Sequence, residues 1–309
     1  MILSKQFFMN NAIKQSKMKK HLLTLPLSIL LIFTLSAQAP RGSVVEGITL
    51  KSNILKKDVK LNVYLPSDYA STQSRYPVVY LLHGMGQNYM DWVQKGEANL
   101  TADSIIANGS IPKVIIVMPD AGNSFYINSA DGYNYEDYFL KELIPYIDST
   151  YKTRPSRDNR AIAGLSMGGY GAIVYGVKHA DLFSACAALS SGVVTDPEVA
   201  NTPNDVYDAY YATVWGKAKG EDRLQLPTWS KYSPLALLKT GNAVDLKKIK
   251  WYFDIGDDDS LYKGNAAIHN ILRDKQIPHE FRIRDGDHTW EYWRTGLGDA
   301  LKFIGLAFK

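Results

Sequence analysis

In Gly164-Leu165-Ser166-Met167-Gly168 a serine hydroxyl stands between two glycines, after the apolar run 160–165 and before a stretch of helical pattern. A serine at the sharp turn from a strand into a helix presents its Oγ above the sheet as a nucleophile for acyl transfer. The hydroxyl is weak without a base. Of the six histidines, His21 falls in the N-terminal segment, His179 ends a helical pattern, His269 sits inside "NAAIHNIL" and His279 begins a strand. His83, in "LLHG", belongs to an early turn. His288, in "RDGDHTWEYW", follows a strand on a Gly/Asp loop. Where the chain order is serine, acid, histidine, the base falls in such a late loop. The acid that orients it should follow a strand between the two. "WYFDIGDDDSLY" offers Asp254 inside the strand pattern and Asp257, Asp258 and Asp259 beyond it. Spacing leaves those last three open. An oxyanion would need two backbone donors. The Met167 N–H directly follows the serine, and "LLHGMGQ" supplies the second through Met85, with His83 and Gly84 shaping the turn.

These residues need a scaffold that brings three distant loops together. "VVEGITL" and "VKLNVYLP" read as strands joined by a polar turn, so the sheet starts antiparallel. "YPVVYLLHG", "KVIIVMPDAG", "RAIAGLS", "FSACAALSS" and "KIKWYFDIG" are short apolar runs, the pattern of buried strands, and "HEFRIRDG" is a further strand. Helical patterns occupy 102–109, 135–151, 168–179, 264–275 and the stretch from about 289. Strands alternating with helices imply an α/β fold with a mostly parallel central sheet flanked by helices. Residues 192–247 break the alternation and carry Tyr207, Tyr210, Tyr211, Trp215, Trp229 and Tyr232. They read as an insertion over the carboxyl edge of the sheet, where open α/β sheets bind ligands.

The 309 residues are 46% hydrophobic and 21% charged, a globular composition. Residues 1–39 stand apart. Lysines precede the apolar run "LLTLPLSILLIFTL", which ends in "SAQA", the pattern of a signal peptide cleaved after Ala39. The expectation is a secreted or periplasmic chain with one domain over 40–309 and no stable membrane insertion after cleavage. The leader holds five lysines and no acidic residue, so the formal charge of +4 becomes −1 without it, and no nucleic-acid partner follows. Cys186, the one cysteine, lies in an apolar run and reads as a buried small hydrophobe.

"YLLHGMGQNYMDW", "VMPDAGNSFYIN", "AIAGLSMGGYGA", "DIGDDDSLY" and "GDHTWEYWR" together resemble an esterase family of α/β-hydrolases over roughly residues 45–305. That family contains feruloyl and acetylxylan esterases of the first carbohydrate esterase family, S-formylglutathione hydrolases and antigen-85 mycolyltransferases. The resemblance implies an α/β-hydrolase fold and a triad of Ser166, Asp259 and His288. It singles out Asp259 as the last acidic residue before a small residue and Leu261. It further implies Met85 and Met167 as oxyanion donors, and a chemistry that needs neither metal nor organic cofactor. A secreted member is expected to deacylate feruloylated or acetylated plant polysaccharide or its oligosaccharides, since the thiol ester of the glutathione enzymes is cytosolic. Trp92, Asn123 and Tyr126 are candidates for lining the substrate site. The alternatives are a general short-chain carboxylesterase, an acyltransferase to a sugar hydroxyl, and a carbohydrate-binding protein on an inactive hydrolase scaffold.

Overall fold

The computed structural model describes residues 40–309; the leader-like segment, with its expected cleavage site after Ala39, lies outside the described residues. Eight strands are formed: β1 (Ser43–Ser52), β2 (Lys57–Leu65), β3 (Val78–Leu82), β4 (Ile115–Pro119), β5 (Arg160–Leu165), β6 (Ala185–Leu189), β7 (Lys250–Gly256) and β8 (His279–Arg284). They make one sheet in the order β1-β2-β4-β3-β5-β6-β7-β8. β2 runs antiparallel to both β1 and β4, and the remaining neighbours are parallel. The antiparallel start follows from the short polar turn between β1 and β2, which leaves no room for a crossover helix.

β3, β4, β5 and β6 are buried at every position. Uninterrupted apolar runs of this kind suit strands covered on both faces. Side chains alternate between the two faces, as the strand repeat requires. Val78, Tyr80 and Leu82 join one apolar cluster with Tyr170 and Ile173 of the helix Met167–Lys178. Val79 and Leu81 join the other, with Trp293 and Leu297 of the helix Trp290–Gly305. Helix boundaries shift slightly from the sequence pattern. The helix expected at 102–109 is Ala98–Ala107, entered through Glu97 in a left-handed conformation (φ 50°). The helical stretch at 135–150 carries a π-turn at Phe139–Leu143.

Between β6 and β7 the chain forms short helices, among them Asp196–Asn201, Asn204–Tyr210 and Ala212–Trp215. Arg223 pins them from inside. Its guanidinium donates to Val199 O (2.9 Å), Thr202 O (2.6 Å) and Asn204 Oδ1 (2.7 Å), and lies 4.0 Å from the Tyr207 ring centroid. A cation at the carboxyl end of a short helix satisfies carbonyls that have no partner within the helix.

Glu136 ties this segment to the main body. Its carboxylate accepts from Tyr232 Oη (2.6 Å) and pairs with Lys178 Nζ (2.6 Å) and His179 Nε2 (2.8 Å). Burial alone would raise its pKa; the hydrogen bonds from His179, Lys178 and Tyr232 prevail and bring it from 4.5 down to about 2. A carboxylate with a depressed folded pKa stabilises fully above its unfolded pKa and loses that contribution as pH falls through the folded one. The window is therefore about pH 4.5 to 2, and the contribution is about 3 kcal/mol. Thermal unfolding between these pH values is expected to show a steep loss of Tm that Glu136→Gln flattens. Equal slopes for both proteins would remove Glu136 as the cause.

Candidate active site

β5 ends at Leu165 and the helix Met167–Lys178 begins two residues later, so Ser166 alone makes the turn. It does so at φ 51° and ψ −118°, a conformation that costs on the order of 1–3 kcal/mol and persists only where the surroundings impose it. They do. Ser166 N–H donates to Leu189 O (3.0 Å), and its carbonyl accepts from Gly192 N–H (2.7 Å) and Tyr170 N–H (3.0 Å). The turn is tight enough to require both flanking glycines. A Cβ on Gly168 would lie 2.4 Å from Leu82 O, and one on Gly164 2.5 Å from the Gly168 backbone. Gly168→Ala is accordingly expected to lower Tm and activity together. An alanine variant with unchanged Tm would show that the elbow tolerates a side chain.

The loops after β7 and β8 bring two further side chains to Ser166. Its Oγ lies 3.0 Å from His288 Nε2, and His288 Nδ1 lies 2.8 Å from Asp259 Oδ2. Asp259 is fully buried and its other oxygen accepts from Leu261 N–H (2.9 Å). Burial would raise the Asp259 pKa, but hydrogen bonds from His288 and the Leu261 amide hold it below the ordinary value. The carboxylate therefore stays ionised and accepts a hydrogen bond from a proton-bearing Nδ1 of His288, an orientation that leaves Nε2 facing the serine hydroxyl. The His288 ring packs edge-on against Trp293, with centroids 4.8 Å apart.

The neighbouring aspartates make other contacts. Asp257 and Asp258 are exposed; Asp257 Oδ1 accepts from Gly286 N–H (3.0 Å), and the Asp258 amide donates to Gly286 O (3.1 Å). Both contacts tether the histidine loop. Asp254, inside β7 as its position in the strand pattern suggested, binds Arg284 at 3.0 and 3.1 Å and accepts from Tyr292 Oη.

Met85 and Met167 line the cavity in front of Ser166, and neither backbone N–H has an acceptor among the described residues. His83 is buried. It donates from Nδ1 to Gly84 O (2.8 Å) and accepts at Nε2 from Ala121 N–H (3.0 Å), so it joins the loops after β3 and β4. Burial lowers its pKa, which keeps the imidazole neutral in this role.

The cavity has a volume of about 180 Å³ and, besides these groups, is walled by Phe125, Val194, Tyr211, Trp215 and Leu261. Tyr211 and Trp215 stack at 4.8 Å, so the segment after β6 does reach over the carboxyl edge of the sheet. Larger surface cavities of about 530 and 500 Å³ lie against β8 and contain none of Ser166, Asp259 or His288.

None of the three expected lining residues, Trp92, Asn123 and Tyr126, is there. Trp92 is 1% exposed, donates its indole N–H to Leu82 O (2.9 Å) and packs edge-on against Trp290, where it braces the start of the last helix. Tyr126 is fully buried with its hydroxyl on His83 O (3.0 Å). Phe125 takes the place expected for Tyr126, because both residues are left-handed (φ 52° and 62°) and the backbone turns the phenylalanine toward the cavity. Asn123 is exposed and accepts from Gly86 N–H (2.8 Å), so it supports the loop that carries Met85. Phe125, Val194 and Leu261 had no sequence signal beyond being apolar residues near the loops in question.

A family model described as "Putative esterase" matches residues 52–304. An acetyl esterase of Caldicellulosiruptor saccharolyticus is 27% identical over 266 residues, covering 83% of this chain and 96% of that protein. An endo-1,4-beta-xylanase/feruloyl esterase of Xylanibacter ruminicola is 36% identical over 163 residues, covering 50% of this chain but only 22% of the longer protein. A solved structure of a ferulic acid esterase superposes with a TM-score of 0.74 at 33% identity, covering 87% of this chain and 99% of the other. A match that runs through the elbow, the acid loop and the histidine loop, on the same doubly covered sheet, has one reading: the chain belongs to this esterase family of α/β-hydrolases and is a carboxylic ester hydrolase.

Proposed function

We propose that the protein is a secreted serine esterase that removes feruloyl or acetyl groups from plant polysaccharide or its oligosaccharides through an acyl-enzyme. The observation that carries the chemistry is the hydrogen-bonded chain Ser166–His288–Asp259 opening into an aromatic-walled cavity. His288 Nε2 takes the Ser166 proton as Oγ attacks the ester carbonyl. The Met85 and Met167 N–H groups hold the oxyanion of the tetrahedral intermediate, in a site where each donor contributes on the order of 10²–10³ in rate. The imidazolium, stabilised by Asp259, gives its proton to the departing sugar oxygen. His288 then deprotonates a water that attacks the acyl carbonyl, and Ser166 leaves with the proton restored.

The walls favour an aromatic acyl group. Phe125, Tyr211 and Trp215 surround the space beyond Ser166, and aromatic pairs contribute about 0.5–1.5 kcal/mol each beyond their buried area. Similarity to proteins named for acetyl and feruloyl esters supports the same substrate class. The leader-like segment supports export, which would bring the enzyme to polymeric substrate. kcat/KM for methyl ferulate is expected to exceed that for methyl acetate by at least about tenfold. The reverse preference would assign the acetyl group instead.

A further inference from the structure

A second cavity, of about 290 Å³, lies beside the catalytic one and is built from different chemistry. Its lining includes Lys57, Asn123, Ser124, Asp131, Tyr133 and Thr213. We propose that it binds a neutral oligosaccharide, as a subsite for the sugar chain that carries the ester. The proposal rests on the reading above, in that the sugar is taken to be the alcohol part of the substrate.

Position comes first. Asn123 and Ser124 follow β4, and Lys57 begins the antiparallel β2, so both ends of the cavity wall sit on the carboxyl edge where Ser166 ends β5. The strand order β2-β4-β3-β5 puts two to three strand spacings between them, roughly 10–14 Å. That is beyond the reach of a small ester bound at Ser166 and within reach of a substrate that continues past the ester-bearing sugar.

The two cavities also share their walls. In the loop after β4, Phe125 lines the catalytic cavity while Asn123 and Ser124 line the second. In the segment 211–215, Tyr211 and Trp215 line the first while Thr213 and Val214 line the second. The rim is fixed by backbone bonds from Ala130 N–H to Val214 O (2.8 Å) and from Asp131 N–H to Thr213 O (3.3 Å). A ligand spanning both would cross one continuous, braced partition.

The lining then selects the ligand. One lysine and one aspartate balance in charge, which favours neither an anion nor a cation. Tyr133 is a half-buried aromatic ring braced against Tyr135, with the Lys57 ammonium 5.3 Å from its centroid. The hydroxyls of Tyr133 and Thr213 make no hydrogen bond to another described residue, whereas Asp131 Oδ1 accepts from Tyr133 N–H (3.1 Å). An amphipathic ring surrounded by mixed donors and acceptors matches a sugar, which offers C–H faces and hydroxyls that both give and take hydrogen bonds. A feruloyl ring would leave those polar groups unpaired and belongs in the aromatic cavity.

Two measurements test this. Unsubstituted xylotetraose is titrated calorimetrically into the wild-type enzyme and into Tyr133→Ala. The subsite requires saturable binding that the variant weakens about tenfold or more; absence of binding, or equal binding in both, overturns it. Separately, the ratio of kcat/KM for feruloylated xylo-oligosaccharide to that for methyl ferulate is compared in the two proteins. The ratio should fall about tenfold in Tyr133→Ala and much less in Tyr133→Phe, whereas general damage to the fold would lower both rates alike. An unchanged ratio counts against the subsite. Wild-type enzyme that cleaves methyl ferulate but not the feruloylated oligosaccharide would instead remove the sugar-ester reading, while Tyr133-dependent xylotetraose binding would still sustain the subsite.

Discussion

Ser166→Ala is expected to lower kcat/KM on any ester by about 10⁶ while leaving the protein folded. The size follows from the roles assigned around the elbow. Without Oγ no acyl-enzyme forms, and His288 is left facing a methyl group instead of a hydroxyl at 3.0 Å. What remains is whatever the Met85 and Met167 N–H groups contribute to direct attack by water. The fold should survive because Ser166 is held by its backbone, through Leu189, Gly192 and Tyr170, and none of these bonds involves the side chain. The substitution is checked by steady-state kinetics on 4-nitrophenyl acetate beside a thermal melt. Activity within tenfold of wild type, in a folded variant, would transfer the nucleophile to another residue.

Asp259→Asn should cost about 10⁴ in kcat, a value typical of a triad whose histidine is left in the wrong tautomer. The hydrogen bonds explain why the tautomer changes. Leu261 N–H needs an acceptor, so the amide oxygen of the new asparagine stays where Oδ1 was, and its NH₂ is turned to His288 Nδ1. Nδ1 must then accept, the ring proton moves to Nε2, and the base no longer has a lone pair for the serine. Asp258→Asn lacks this consequence. Its carboxylate is exposed and only its backbone N–H holds Gly286, so the change should stay within about threefold. Parallel kcat determinations on the two variants decide the point. A severe Asp258 variant beside a mild Asp259 one would mean that the acid is misassigned.

Much of the scaffold is legible in the sequence because its signals are local. Five short apolar runs, each ended by small or polar residues, can be little other than buried strands, and Ser166 stands at the end of one of them. The position of His288 on a late loop is legible for the same reason. The acid is harder. Three consecutive aspartates differ only in which one the turn rotates inward, and that depends on Gly256, Leu261 and Gly286 around it. The resemblance selected Asp259, and the structure puts that residue, buried, against His288. The cavity walls were the least legible. Tyr126 is one of the expected lining residues, yet at two successive left-handed positions it is Phe125 that reaches the cavity and Tyr126 that is buried. Trp92 is similar: it lies in the short helix Asp91–Gln94 after the oxyanion loop, but its indole is needed behind β3. Such choices are set by backbone turns and tertiary packing, which leave no periodic trace.

The proposed mechanism requires a covalent intermediate at Ser166. Acid-quenched enzyme, taken in the first turnovers of a slowly deacylating 4-nitrophenyl ester, can be read by intact-protein mass spectrometry and mapped by peptide digestion. The prediction is one acyl group per chain, carried by the peptide that spans Ala161–Ala172 and located on Ser166. Stoichiometric release of 4-nitrophenol should accompany it. Turnover at full rate with no acyl adduct, or with the adduct on another residue, would contradict the mechanism.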